Sequence, residues 1–449
     1  MEPIAPFELS QLERRWIESR SGGSFENLFQ SAIDRINAAE GVVARGVLIV
    51  EAEPLAFAAA FFAAAYLQLP LVLANPNWQA QEWSEVAAQL NPALIFGTAP
   101  LATVARDLSC RAPQAGSILI PTGGSSGGVK FAVHGWASLS VACQGLRAFL
   151  GAGPINSFCV LPLYHVSGLM QLLRSFLSGG HVILGDCSAL ASAVPGLCFS
   201  LVPTQLQRLL QQAQALSVLK SARVIFIGGA ALSSDLAARA RKLQLPLVLS
   251  YGMTESAAMV AVRPVADFFS KPGMSSAVSL PHVEIDILDH KGTRCRLNEV
   301  GTIRIQSRSL FKGYHGKIPL EISAGYLTDD LGYLDADGYL SVIGRSDRLI
   351  ISGGEKIDPL EVERAILATN LASEVLALGC FDAEWGQRLV VFYVPTSRSI
   401  MTEEWQQHLR PRLVAHKLPK QWIPVDVLPL DEKGKVQLHK IEQLIATHI

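Results

Sequence analysis

The sequence predicts an α/β protein: a large amino-terminal doubly wound α/β region, a β-rich subdomain, and a small carboxyl-terminal α+β lobe. Three observations predict it. Short apolar runs alternate with segments of helical period as far as Val283, which is the pattern of a parallel sheet with helices on both faces. From Val283 the texture changes to short strands around Asp and Gly turns. Beyond Asp347 helices and strands mix again over about a hundred residues, the size of a small lobe.

Taken in order, the candidate strands of the first region are 47–50, 93–96, 117–120, 158–161, 181–184, 199–202, 223–227 and 246–249. Several end in Gly, Pro or Thr, and in open α/β sheets ligands bind beyond such carboxyl ends. The run LAFAAAFFAAAYLQLPLVLA at 55–74 has the length of a membrane span but is interrupted by Gln68 and Pro70. It reads better as a buried helix, a turn, and a strand at 71–73. The β-rich stretch contains VEIDILD, GTIRIQS, YLDADGYLSVIG and RLIISGG. In the last lobe we expect helices at 359–369 and 403–413 and strands at 374–379 and 388–394. The expected domains are 1–345, with the β-rich part at 283–345, and a lobe at 349–449, joined through 346–348, which the family resemblance given below makes a hinge.

Composition narrows the function. The chain has 449 residues, 49% hydrophobic and 17% charged, which excludes disorder. With 38 Lys+Arg against 39 Asp+Glu it lacks the basic footprint of a nucleic-acid binder or a polybasic membrane anchor. Seven scattered cysteines without a CxxC pair indicate neither a zinc site nor a disulfide framework. The start, MEPIAPFELSQLERRW, is acidic and polar where a signal peptide is basic and apolar, so a cytoplasmic protein without a membrane span is expected.

The strongest local signal is Ile120-Pro-Thr-Gly-Gly-Ser-Ser-Gly-Gly-Val-Lys130 after a strand. Its glycines let backbone N–H groups converge on an anion, Thr122, Ser125 and Ser126 add hydroxyl donors, and Lys130 adds a charge. A Walker A loop is rejected, because Val129 separates Gly128 from Lys130 and Phe131 follows. The five residues Gly123-Gly-Ser125-Ser-Gly127 formally match a hydrolase nucleophile elbow, which leaves Thr122 and Lys130 without a role. A plain Gly/Ser turn is the bland alternative, and a loop gripping a triphosphate is the third reading.

Four further segments follow in order: Ile227-Gly-Gly-Ala230, Leu249-Ser-Tyr-Gly-Met-Thr-Glu-Ser256, Gly325-Tyr-Leu-Thr-Asp-Asp330-Leu-Gly-Tyr333, and Ile343-Gly-Arg-Ser-Asp-Arg-Leu-Ile-Ile-Ser-Gly-Gly-Glu-Lys-Ile-Asp-Pro-Leu-Glu361. Asp431-Glu-Lys-Gly-Lys435 lies near the end. In this order, over nearly the whole chain, they resemble the acyl-adenylate-forming superfamily of acyl-CoA and aryl-CoA ligases, luciferases and peptide-synthetase adenylation domains.

That resemblance implies ATP, Mg2+ and CoA as co-substrates and cofactor, and a carboxylic acid as the small-molecule partner. It gives Thr122, Gly123, Gly124, Ser125, Ser126, Gly127 and Lys130 to the triphosphate. Gly228, Gly229 and Ala230 would let backbone approach the purine, and Tyr251, within Ser250, Gly252 and Met253, would offer adenine a flat face. Thr254 would meet the α-phosphate and Glu255 the Mg2+. Asp330 and Arg345 are expected at the ribose. Lys435 would bridge carboxylate and α-phosphate, stabilising charge in the adenylation transition state. Asp347 would be the hinge about which the lobe turns, withdrawing Lys435 and bringing Gly353 and Gly354 to line a pantetheine tunnel.

Departures from the family pattern are few. Thr328-Asp329-Asp330 stands where Thr-Gly-Asp is usual, and register with Gly332-Tyr333 favours Asp330 over Asp329. Val129 replaces a usual Pro, Gly123 a usual Ser, and Leu438 an Arg often found three residues past the lysine.

The acyl group must be read from pocket residues. The stretches Leu161-Pro-Leu-Tyr-His-Val-Ser-Gly168, Ser200-Leu-Val-Pro-Thr-Gln205 and Ser250-Tyr-Gly-Met-Thr-Glu-Ser256 are similar to those of family members whose aryl acid carries two carboxylates. The carboxylate not activated needs a cation or several donors. Arg174, nine residues after His165, is the candidate clamp, with a snorkelling helix arginine as the alternative. His165 would gate the pocket or contact the acyl group, and Ser167 and Thr204 could add donors. Another small aryl- or fatty-acid ligase, a serine hydrolase acting through Ser125, and an inactive nucleotide-holding relative are the competing readings.

Overall fold

The structure is a computed structural model. It describes residues 6–20, 22–100, 112–123, 128–192, 194–229, 232, 234–271, 277–345, 350–352, 355–382, 386–396, 402–430, 437, 440–441 and 443–444. Its backbone contacts divide into two units. The first comprises Met1–Asp286, Arg304–Leu327 and Gly338–Leu340, and the second Ile287–Ile303, Thr328–Asp337 and Ser341–Ile449.

Two sheets build the first unit. One has five strands in the order Leu94–Gly97, Val47–Val50, Leu71–Leu73, Ser117–Gly123 and Val129–Gly135, all parallel except the last. The other has eight, in the order Ile17–Ser19, Val182–Leu184, Ser157–Cys159, Cys198–Leu201, Val224–Ile227, Leu247–Met253, Ala258–Arg263 and Val278–Ser279. Its first six are parallel and its last two antiparallel. The expected strands are all present, most within two residues at each end, while Ser117–Gly123 and Leu247–Met253 run three and four residues further than expected. The sequence reading missed Ile17–Ser19, Val129–Gly135, Ala258–Arg263 and Val278–Ser279. The first is a short edge strand, and the second continues a segment read as loop, pairing antiparallel with Ser117–Gly123 so that Thr122 stands opposite Lys130.

Alternation along the strands assigns the layers. Val47, Ile49, Leu71 and Leu73 of the five-stranded sheet pack with Cys159, Val182 and Leu184 of the eight-stranded one around helices Phe25–Asn37, Pro54–Tyr66, Trp136–Phe149 and Val166–Ser178. Leu48, Val50 and Val72 face the opposite way, onto helix Ala80–Gln89. Phe199, Leu201, Ile225 and Ile227 face helices Pro203–Leu209, Ala213–Lys220 and Ser234–Lys242. The inner helices are therefore covered on both sides by sheet, which is why Pro54–Tyr66 is apolar all round. At 13 residues it is about 20 Å long, short of a bilayer core of about 30 Å. It starts at Pro54 with the Glu53 carboxylate accepting from Ala56 N–H, and ends in a turn where Gln68 takes φ +51°. No helix among the described residues is long and apolar enough to cross a membrane.

The strands Glu284–Leu288, Gly301–Gln306, Tyr326–Leu334 and Leu340–Arg345 form a sheet in that order, the β-rich part of the chain. In the second unit the long hairpin of Ala372–Asp382 and Gly386–Pro395 carries two cores. Leu389, Val391 and Tyr393 pack on helices Pro359–Leu367 and Thr402–Leu409, where Trp405 stacks on Trp422 at 4.5 Å. Val390 and Phe392 face Ile423 and Leu428.

Candidate active site

The described ends of the glycine-rich hairpin are anchored from helix Ala80–Gln89. The Glu85 carboxylate accepts from Val129 N–H at 2.6 Å, and the Gln89 amide donates to the Val129 carbonyl at 2.9 Å. Gly128 sits at φ +89°, a backbone conformation that favours glycine, and an added Cβ would lie 3.3 Å from Glu85 Oε2. Gly124, Ser125, Ser126 and Gly127 lie outside the described residues. So do Ala230, Asp347, Gly353, Gly354 and Lys435, together with the side chain of Arg345.

At the carboxyl ends of Val224–Ile227 and Leu247–Met253 two more motifs meet, because the strands are parallel neighbours with Ile227 opposite Leu249. Ser250 Oγ donates to the Ile227 carbonyl at 3.0 Å, and a Cβ on Gly228 would lie 2.6 Å from that oxygen. Gly228 is thus glycine because Ser250 occupies the space. The second strand shifts register between Tyr251 and Gly252, a bulge that re-aims the side chains beyond it. The chain then turns through Thr254–Ser256 and enters the left-handed region at Ala257 (φ +58°) and Ala258 (φ +80°). Two successive non-glycine residues there cost on the order of 1–3 kcal/mol each.

That cost is offset by bonds that hold the turn. Ser256 Oγ accepts from Met253 N–H. His134 Nε2 meets the Thr254 carbonyl at 2.8 Å, and Phe311 N–H donates to the Glu255 carbonyl at 2.8 Å. The Glu255 side chain, 7% exposed, accepts a 2.7 Å bond from the Tyr314 hydroxyl. The same tyrosine ring carries Lys130 Nζ at 5.9 Å from its centroid. His134 is fully buried, and burial, ahead of the field of Lys312, pushes its pKa down to about 4 although the Thr254 carbonyl favours the charged form. Lys130, Thr254 and Glu255 are therefore brought together, by residues the sequence did not single out: His134, Tyr314 and Glu85. No spacing signal marks them, since each acts through a contact between segments far apart in the chain.

The acid-binding candidates gather at neighbouring carboxyl ends. His165 precedes helix Val166–Ser178 and packs edge-on against Tyr164 at 4.5 Å. Ser167 and Thr204 are exposed in the first turns of the helices that follow adjacent strands Ser157–Cys159 and Cys198–Leu201. Arg174 lies on the same helix as Ser167, seven residues further on, about 10 Å by helical rise. It is 3% exposed, so it does not snorkel to the surface. Its neighbours are Cys143, Cys198 and His282, and its Nε has no hydrogen-bond partner. Burial raises both thiols, Cys143 to about 12 and Cys198 to about 11, so neither supplies an anion. Both ring nitrogens of His282 are likewise buried without a partner, and burial followed by Arg174 lowers its pKa to about 4.

In the second unit, strand Tyr326–Leu334 alternates so that Thr328 and Asp330 are buried and Asp329 is exposed. Thr328 Oγ1 accepts from Asp330 N–H at 3.0 Å and donates to the Ile303 carbonyl at 2.9 Å. A separate crevice of about 510 Å3, lined by Glu51, Trp78, Trp83 and Thr98, holds none of the motif residues.

The AMP-binding enzyme model matches residues 104–315, and the AMP-binding enzyme C-terminal domain model matches residues 361–435. The chain belongs to the AMP-binding enzyme family. Among curated relatives of this AMP-binding enzyme, the 2-succinylbenzoate–CoA ligase of Lactococcus lactis is 30% identical over 329 residues, 71% of this chain and 69% of that protein. The 2-succinylbenzoate–CoA ligase of Bacillus velezensis is 33% identical over 295 residues, 63% of this chain. The match spans 59% of the length of that ligase, less than two thirds. In fold, the chain is similar to the o-succinylbenzoate CoA synthetase of Bacillus subtilis in complex with the acyl-adenylate intermediate OSB-AMP. The TM-score is 0.81 and the identity 23%, with 96% of each chain covered.

Proposed function

We propose that the protein is an AMP-forming acid–CoA ligase whose acid is o-succinylbenzoate. In the first step the acid's carboxylate attacks the α-phosphate of ATP, and the bond to pyrophosphate breaks. In the second the CoA thiolate attacks the acyl carbonyl and AMP leaves. Both steps bring anions together, so placed positive charge is what the protein has to supply.

The single observation that carries the reading is the juxtaposition of Lys130 and Glu255 on one tyrosine, beside the Thr254 turn. Mg2+ is usually held by one or two carboxylates plus substrate phosphates, and a single buried carboxylate with one oxygen already engaged fits that donor set. Bound there with the nucleotide, Mg2+ would supply charge neutralisation at the phosphates. Thr122 and Lys130 hold the triphosphate, together with Gly123, Gly124, Ser125, Ser126 and Gly127. Gly228, Gly229, Ser250, Tyr251, Gly252 and Met253 flank the adenine, and the Thr254 hydroxyl meets the α-phosphate. Asp330 and Arg345 take the ribose, Lys435 the reacting carboxylate, and Gly353 and Gly354 the pantetheine, with Asp347 as hinge.

The choice of a dicarboxylate rests on Arg174. A guanidinium inside the protein without a counter-ion is costly, and a ligand carboxylate removes that cost. An aryl acid activated at one carboxylate would place the other against Arg174, with His165, Ser167 and Thr204 nearer the strand ends. The names of the relatives support the same acid. The test is CoA-ester formation across a panel of acids with ATP and Mg2+, read by mass. The expected result is o-succinylbenzoyl-CoA in preference to benzoyl-CoA and to aliphatic esters. Equal turnover of benzoate would sink the dicarboxylate reading, and no ester from any acid would sink the ligase reading.

A further inference from the structure

We propose that Glu85 is a positioning residue for the triphosphate-holding segment, doing by a hydrogen bond what proline does at the Val129 position of the family pattern. This rests on the reading of residues 122–130 as the segment that holds the triphosphate. Proline fixes φ and carries no N–H. Valine at that position restores both a rotation and a donor, and it does so where the described antiparallel pairing ends, with Gly123 opposite Val129. The residues between are rich in glycine, which loses more conformational freedom on ordering than any other residue. A base already held in one conformation before the nucleotide arrives lowers that cost. Without proline, something else has to hold the base.

Helix Ala80–Gln89 supplies the hold. Both backbone polar groups of Val129 are engaged by side chains one helical turn apart. The Glu85 carboxylate accepts from the N–H at 2.6 Å, and the Gln89 amide donates to the carbonyl at 2.9 Å. Gln89 is itself steadied by a second bond, to the Glu85 carbonyl at 3.1 Å. The Val129 side chain packs on the apolar cluster to which the same helix contributes Trp83 and Val86. The start of the helix is pinned as well, since Gln79 N–H donates to the Glu82 carboxylate at 2.9 Å. Glu85 is half-buried, and a carboxylate beside a segment that binds an anion repels the ligand. Its contribution therefore has to be the bond it makes, and a bond to an ionised acceptor is roughly twice as strong as a neutral one. Gln89 would serve a proline equally well, because proline keeps its carbonyl. The Glu85 bond is the one that valine makes necessary.

The experiment reads two quantities on the full-length protein: the dissociation constant of MgATP by titration calorimetry without acid, and amide hydrogen exchange over residues 117–135 in the ligand-free state. The proteins are wild type, Glu85→Gln, Glu85→Ala, Val129→Pro, and Glu85→Ala with Val129→Pro. Glu85→Ala should bind MgATP about 10-fold more weakly and exchange faster over 117–135, with Tm within about 4 °C of wild type. Glu85→Gln keeps an acceptor without the charge and should stay within about threefold of wild type. Val129→Pro should return the Glu85→Ala protein to within about threefold of wild type in both readouts, and by itself should bring no gain. Glu85→Ala within about twofold of wild type overturns the proposal. So does a failure of Val129→Pro to recover the loss, or an equal gain from it with Glu85 present. No MgATP binding by wild type would sink the nucleotide reading and this proposal with it. Normal binding with unchanged exchange in Glu85→Ala would overturn the positioning role alone.

Discussion

His134 and Thr254, 120 residues apart in the chain, are joined by a 2.8 Å hydrogen bond from the imidazole Nε2 to the Thr254 carbonyl oxygen. A carbonyl only accepts, so the ring proton is on Nε2, and Nδ1 faces Ser138 Oγ at 3.1 Å. The strand that leaves the glycine-rich hairpin thereby grips the turn that presents Thr254 and Glu255.

This histidine should make the protein acid-sensitive. Its pKa of about 4 in the folded state is below the ordinary 6.5, so between those values the unfolded chain binds more protons. Stability therefore falls as pH drops from about 6.5 to about 4, by on the order of 3 kcal/mol from His134 alone. His282, also held near 4, acts in the same direction. Urea unfolding at several pH values across this window measures the slope. His134→Gln, which keeps a donor but does not titrate, should flatten it, and an unchanged slope would contradict the burial argument.

Arg174→Met should separate binding from stability. Replacing a buried cation that lacks a carboxylate partner by an apolar chain is expected to leave the ligand-free protein as stable or more stable, by about 1–4 kcal/mol. The same change should lower kcat/KM for o-succinylbenzoate by about 30-fold or more, the equivalent of about 2 kcal/mol for a charge-assisted bond. Benzoate, lacking the second carboxylate, should be little affected. Equal losses on both acids, or a large drop in Tm, would mean that the guanidinium is structural.

Gly228 and Ser250 should be energetically coupled. An alanine at 228 places its Cβ 2.6 Å from Ser250 Oγ, and such overpacking costs about 1–3 kcal/mol. In Ser250→Ala the obstructing oxygen is gone, so Gly228→Ala should be tolerated much better in that background. A double-mutant cycle by chemical denaturation should return a coupling of about 1 kcal/mol or more. Additive losses would show that the backbone at Gly228 demands glycine for another reason.

Lys435→Ala should uncouple the two half-reactions. Pyrophosphate exchange should be abolished if, as proposed, the cation acts at the reacting carboxylate and α-phosphate, while thioester formation from supplied acyl-adenylate should largely persist. Rapid-mix assays of each half-reaction compare the two. Equal loss of both would remove the two-state lobe from the account.

The sequence by itself determined the architecture and the chemistry class. Alternating apolar runs and helical segments specify a doubly wound sheet, because a strand buried on both faces must be apolar throughout. The ordered glycine, Thr-Glu and Asp-Asp motifs were legible for the same reason, since each works as a short local segment. Register favours Asp330 over Asp329 as the ribose carboxylate, and the burial that separates the two, Asp330 inside and Asp329 exposed, follows from strand alternation. What only the tertiary structure decided is how charges far apart in sequence are held. Tyr314 and Glu255 are 59 residues apart, and Glu85 and Val129 are 44 apart. Their contacts follow from which strands pair and which helix covers which face, and no local pattern encodes them. Arg174 shows the same limit: position after His165 suggested a clamp, but only packing against Cys143, Cys198 and His282 revealed a buried cation without a carboxylate partner among the described residues. A side chain's neighbours set its desolvation and its partners, and long-range packing chooses those neighbours.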